Sequence, residues 1–184
     1  TIVLEPSPSA DFISLIGSTL SGESVLKKRS PFVDRLGESI AAPQVRLVDD
    51  PSNPEAFTAS QTDGEGLASR SNVLIEDGVL SCFVYDTYNA RRASTVSTGS
   101  AVRGGYRSTP TAGTQALALR PGSASTEELI AGLAVSVSGS HQVLFGEDTI
   151  DFKPPFRRVA MADLVAECTG LDAHSARDAA ALRP

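Results

Sequence analysis

The chemistry of this chain has to be sought among few reactive side chains. Its 184 residues include two histidines and two cysteines. His141 and His174 have no partner at metal-ligand spacing and read as structural residues. Cys82 and Cys168 show no C-x-x-C pattern, so neither a disulfide framework nor a zinc ribbon is expected, and both read as reduced, buried thiols. Asp49-Asp50 offers a pair of carboxylates for a metal, but an acidic pair before Pro51 fits better as the stop of a strand and a turn. Asp63 and Glu65 flank Gly64 and read as solvated turn residues. Ser97-Thr98-Gly99 carries hydroxyls without a nearby histidine, so a nucleophile there would need a base brought in by the fold. "GSAVRGG" has neither the dinucleotide fingerprint nor the P-loop spacing. Arg103 and Arg107 sit among glycines, with Arg91 shortly before them, and guanidinium groups so placed suit a clamp on a peptide carboxylate or on a partner's acid; the alternative is a solvated loop. The candidate peptide- or partner-binding set is therefore Arg91, Ser97, Thr98, Gly99, Arg103 and Arg107. No catalytic residue, metal ligand or cofactor is assigned to this chain.

The elements that must position these groups follow from pattern. "TIVL" reads as a short strand, broken by Pro6 and Pro8, before an amphipathic helix with Ser9 or Asp11 as N-cap, Phe12, Leu15, Ile16 and Leu20 on one face, and an end near Gly22. "KKRS" reads as a basic loop, and a helical turn then leads to a strand at 45–48. The stretch through "NPEAFTASQTDGEGLAS" reads as an exposed loop. Two β-rich runs, 72–76 and 79–86, flank Asp77-Gly78, a pair suited to a two-residue type I′ turn. "STVSTGSAVRGGYRSTPTAGT" reads as a loop able to admit backbone or ligand closely. "QALALRPG" reads as a strand, "SASTEELIAGL" as a helix with the capping box Ser125 and Glu128, and "AVSVSGS" as a strand.

Composition bounds the rest. With 41% hydrophobic and 21% charged residues, the chain is expected to fold. The absence of Trp removes a main ingredient of a base-stacking platform, and a net charge of −6 repels phosphate backbones, so nucleic acid is not an expected partner. No apolar run approaches the ~20 residues of a membrane span. No membrane partner and a cytoplasmic location are the expectation. The opening inside an apolar run without an initiator Met is what a piece of a longer protein would show.

Four stretches then carry a resemblance. "SPFVDRLGESIAAPQVRLVDDP", "DGEGLASRSNVLIEDGVLSCFVYDTYNARR", "STGSAVRGGYRSTP" and "LALRPGSASTEELIAGL" resemble, in order, the C-terminal domain of the TldD/PmbA family over residues 1–139. The resemblance implies an α+β fold, mainly antiparallel and barrel-like with a few helices, here incomplete. Active members of that family are metalloprotease-type proteins of peptide maturation and toxin–antitoxin turnover. In them a helix with two His flanking a Glu binds zinc, and the Glu activates a water. An ungapped count back from "LGE" and "DDP" sets that motif on Ile13, Ser14, Leu15, Ile16, Gly17 and Ser18, which include none of these ligands. The chain thus resembles the PmbA (TldE) side of the family. This implies an accessory subunit that acts on peptide substrates beside a TldD-type homologous subunit, with the zinc expected on that partner.

Residues 140–184 change character. "DTIDFKPPFRRVAMADLVAECTGLD" resembles class II lysyl-tRNA synthetases between their second and third motifs, as a strand, the Pro154-Pro155 break, and a helix with Met161, Leu164, Val165 and Cys168 on one face and Gly170 at its C-cap. The motifs that hold ATP are not included. A fragment of such a synthetase and a stand-alone peptide-binding module are the alternative functions. The change between Ser138 and Gly146 cuts both parents inside their folds, as expected of an assembly artefact or degenerate fusion. A C-terminus prone to aggregate and to be trimmed by proteases after residue 140 would follow.

Overall fold

The computed structural model describes residues 3–170. They form two compact units, one spanning Leu4–Ser123 and the other made of Val3 with the residues from Ala124 onward. His174 lies outside the described residues.

The first unit opens with helix α1, Pro6–Thr19. Pro6 and Pro8 do not interrupt it. Proline fits the first turn of a helix because its missing N–H has no partner there in any case. The N-cap is Glu5, with no side-chain cap, rather than Ser9 or Asp11. Residues 3–4 are not in a strand. The packed face also differs from expectation: Phe12 and Leu15 are exposed, whereas Ile13, Ile16 and buried Leu20 meet the core. Gly22 begins a second helix instead of ending the first. Helix α2, Gly22–Leu26, is capped by Ser21, whose hydroxyl accepts the N–H of Ser24.

Strand β1 is Leu47–Asp49, so Asp49 lies inside the strand that it was expected to stop. Strands β2, Asn72–Glu76, and β3, Val79–Leu80, form the expected hairpin. Its turn has Asp77 at φ 49° and Gly78 at φ 79°, as a type I′ turn requires. A side chain at Gly78 would also place a Cβ 2.4 Å from the carbonyl oxygen of Ala41. The run after Leu80 leaves the sheet early because Asp86 caps a helix: α3, Thr87–Arg92, receives the Asp86 carboxylate on the N–H of Asn89 at 2.8 Å. The expected loop 94–114 contains a small hairpin, β4 Ala101–Val102 with β5 Thr111–Ala112.

Strand β6, Leu117–Leu119, completes an open antiparallel sheet in the order β3-β2-β1-β6. The fold class is α+β with antiparallel pairing, as expected, but the described sheets do not close into a barrel. The core is aliphatic: Leu20, Leu47, Leu74, Ile75, Leu80, Phe83 and Val84 are buried together. At ~1.5–3 kcal/mol for each fully buried large side chain, this cluster is the main cohesion of the unit.

In the second unit, helix α4 runs Thr126–Ser138 and carries the full capping box of Ser125 and Glu128. The expected strand at 134–140 is absent. The alternation of "AVSVS" is overridden by a helix already nucleated upstream, which continues to Gly139 in the left-handed conformation. A hairpin follows, β7 Gln142–Phe145 with β8 Asp148–Asp151. Helix α5, Met161–Thr169, ends at Gly170 as expected, but it has no buried residue, and Met161 and Leu164 remain exposed. Cys168 is exposed and Cys82 is half-buried, so the expectation of two buried thiols fails, although both are free.

Candidate functional site

A cleft of about 960 Å³ opens on the Leu4–Ser123 unit. One wall is helix α1, through Ser14 and Ser18; the other is the segment 112–118, which leads into β6; the rim carries Asp50, Asn53, Glu55 and Phe57. The pattern of α1 explains its wall. Ile13 and Ile16 turn to the core, which leaves the serines outward. Gly17 lets the helix press against the sheet, since a Cβ there would stand 2.4 Å from Leu117 Cδ1.

Strand β6 is the terminal strand of its sheet. Ala116 accepts from Asp50 N–H and Arg120 donates to the Arg46 carbonyl, each at 3.0 Å. These residues face β1, so by alternation the backbone groups of Leu117 and Leu119 face the open edge. An open edge beside a cleft is the arrangement by which sheets take up an extended peptide as an added strand.

The segment entering β6 is fixed by hydrogen bonds, two of them to the buried Asp49. Asp49 is 0% exposed. Its Oδ1 accepts the N–H groups of Gln115 at 2.9 Å and Ala116 at 2.7 Å. Thr58 Oγ1 donates to the Gln115 carbonyl at 2.5 Å, and Gln115 Nε2 donates to the Ala101 carbonyl at 3.0 Å. Burial raises the Asp49 carboxyl above its usual range, against the two N–H bonds, with neighbouring Asp50 adding to the rise. Asp50 behaves oppositely: the Ser52 hydroxyl holds its carboxyl below the usual range.

Asp63 is also buried, not solvated. Its Oδ1 accepts from Glu65 and Leu67 N–H at 2.9 Å each, and its Oδ2 from Ala101 N–H at 3.1 Å. Glu65 Oε2 accepts from the Thr87 N–H at 2.9 Å and hydroxyl at 2.6 Å. Both acids are structural clamps between loops.

None of Arg91, Ser97, Thr98, Gly99, Arg103 and Arg107 lines the cleft. Ser97 Oγ and Thr98 Oγ1 donate to the Tyr85 carbonyl at 3.1 and 3.2 Å. Gly99, at φ 68°, passes so close to Ala68 that a Cβ would meet its carbonyl oxygen at 2.6 Å. Arg103 folds onto the Gly64 carbonyl at 2.6 Å, and Arg107 lies over the Tyr106 ring at 5.1 Å. Arg91 is exposed in the last turn of α3. From sequence, Gln115 carries no signal, Asp49 reads only as a metal carboxylate or a strand stop, and Ser14 and Ser18 read only as motif positions without zinc ligands; the outward serine spacing on α1 is the one hint of the cleft wall.

At positions 13–18 the side chains do not fit a zinc ion, which needs imidazole, thiolate or carboxylate donors. Two are apolar and packed, and the cleft-facing pair are serines. Among the described residues no cluster of three His, Cys, Asp or Glu side chains is arranged to hold a metal. Among them, too, no helix is long and apolar enough to cross a membrane.

Comparison with known proteins gives this geometry a setting. Residues 1–150 match the PmbA/TldA metallopeptidase C-terminal domain. The chain is 29% identical over 136 residues to a metalloprotease TldD homolog of Haemophilus influenzae, covering 74% of this chain and 28% of that one. It is 28% identical over 156 residues to a metalloprotease of Methanocaldococcus jannaschii, covering 82% and 34%. The crystal structure of TldE from Thermococcus kodakarensis superposes with a TM-score of 0.58 at 34% identity, over 62% of this chain and 26% of that one. A separate match of 50 residues is 50% identical to the lysine–tRNA ligase of a Nostoc species and covers 27% of this chain and 9% of the ligase. The chain spans about a third or less of the length of each of these relatives. By its match over residues 1–150, the chain belongs to the PmbA/TldD metallopeptidase family, through the C-terminal domain of that family.

Proposed function

We propose that this chain is the TldE-like, non-catalytic side of a two-subunit peptidase: it holds an extended peptide, and a zinc-bearing TldD-type homologue cleaves it. The observation that carries this reading is the pairing of an open β6 edge with a cleft whose helical wall presents Ser14 and Ser18; the family resemblance counts both positions within the zinc motif of active members. Backbone bonding to Leu117 and Leu119 would hold peptides with little regard to sequence, and the hydroxyls of Ser14, Ser18 and Thr114 would supply further donors and acceptors. Exposed Arg91 and Arg107 are the groups proposed to meet acids of the partner subunit.

The test is peptide hydrolysis by the chain alone, by a zinc-bearing homologue alone, and by both together. The chain alone is expected to be inactive with or without added zinc, and its addition is expected to lower the KM of the homologue. Zinc-dependent hydrolysis by the chain alone would contradict the reading.

A further inference from the structure

The cleft wall is fastened by one enclosed carboxyl group. Asp49 Oδ1 carries the N–H groups of Gln115 and Ala116, at 2.9 and 2.7 Å, while Oδ2 is buried with no hydrogen-bond partner. The groups facing it supply no positive charge. Its strand partners are Asn72 on β2 and Leu117 on β6, both uncharged. On its own strand run, Arg46 is engaged with Glu76 at 2.8 Å, and the adjacent Asp50 is a like charge. An ionised carboxylate in this place has one satisfied oxygen and one that has lost its water without compensation.

We propose that Asp49 is a proton-dependent latch on the cleft. Uncharged, it holds Gln115 and Ala116 closed against β1; ionised, it releases them, so that its bare oxygen reaches water. The inference rests on the reading above only for what the cleft holds. Its sign follows from linkage. The closed form binds the Asp49 proton more tightly than a form with the carboxyl in water, because burial outweighs the two N–H bonds. Closure is therefore favoured at acidic pH and lost as pH rises through the closed-form titration. Peptide uptake at the β6 edge would then depend on pH through a residue that does not line the cleft.

Amide hydrogen exchange on the whole chain, without peptide, tests this directly. Protection of the Gln115 and Ala116 amides is measured across pH, corrected for intrinsic exchange and referenced to Leu74 in the core. In the native chain protection is expected to fall by up to about tenfold per pH unit, the limit for one linked proton. Asp49→Asn is expected to abolish the step, and Asp50→Asn to move it to lower pH by removing the neighbouring like charge. A native chain without the step, or a step retained in Asp49→Asn, overturns the proposal. If Asp49→Asn does not fold, the Asp50→Asn result decides: a step unmoved or moved upward overturns it. Because no peptide is present, a failure of peptide binding would refute the proposed function and leave this result readable.

Discussion

Asp63 and Ser125 both satisfy backbone N–H groups, but they do so on different scales. Asp63 is buried and gathers amides 2, 4 and 38 residues away, so it closes only when the Leu4–Ser123 unit has folded. Ser125 is exposed and bonds Glu128, three residues on, within its own helix. The same contrast runs through both units. The first has a cluster of seven buried apolar side chains. In the second, the one buried hydrophobic residue among those described is Ala131, while Val137, Leu144, Phe145 and Met161 are exposed. Local rules are enough to write α4 and α5. Stability and a shaped cleft need contacts that span the chain.

This comparison can be broken by paired substitutions. The largest effect is expected from Leu74→Ala, fully buried in the core, which should cost the first unit about 2–5 kcal/mol in urea unfolding. Leu164→Ala, on the exposed side of α5, should change stability by no more than about 0.5 kcal/mol. Equal costs would erase the distinction between the units.

Asp63→Ala should follow, at about 1–3 kcal/mol for buried donors left unsatisfied, with the loss visible as faster exchange at Leu67 and Ala101.

The pH dependence of stability sharpens the contrast further. Asp49 has a raised folded pKa, so the folded state holds its proton where the unfolded state has lost it. Stability of the first unit should therefore fall as pH rises through that window, by at most about 1.4 kcal/mol per pH unit. Asp49→Asn should remove this slope, read from thermal unfolding across pH. Glu128, in the second unit, is shifted downward by its hydrogen bonds to Ser125, and its contribution should be lost instead as pH falls.

The smallest effect is expected from Ser125→Ala, about 1 kcal/mol, confined to exchange rates across α4 and invisible in the unfolding of the first unit.

What could be read from sequence follows the same division. The Asp77-Gly78 turn and the Ser125 capping box were legible because each is decided by residues within four positions of one another. Helix α3 follows directly on a β-rich run and was not read, although its cap, Asp86, ends that run. "AVSVS" alternates like a strand, but it sits on a helix begun eight residues earlier, and cooperativity prevailed. Asp49-Asp50-Pro51 looked like a turn because the amides that Asp49 serves lie 66 and 67 residues further on. The cleft was illegible for the same reason: Ser14 and Leu117 share it only through tertiary contact. Family resemblance counts the zinc motif onto residues 13–18, but it does not say that Ser14 and Ser18 would line a cleft wall.

On the proposed function, the β6 edge and its cleft take up extended peptide through backbone bonds. The most direct measurement is the affinity of the whole chain for a fluorescent Thr/Val peptide and for two derivatives N-methylated at alternate residues. Strand addition uses only one alternate set of amides, so one derivative should bind at least about tenfold more weakly while the other keeps the parent affinity. If both derivatives bind as tightly as the parent peptide, or if the parent shows no saturable binding, β6 does not take up peptide as an added strand.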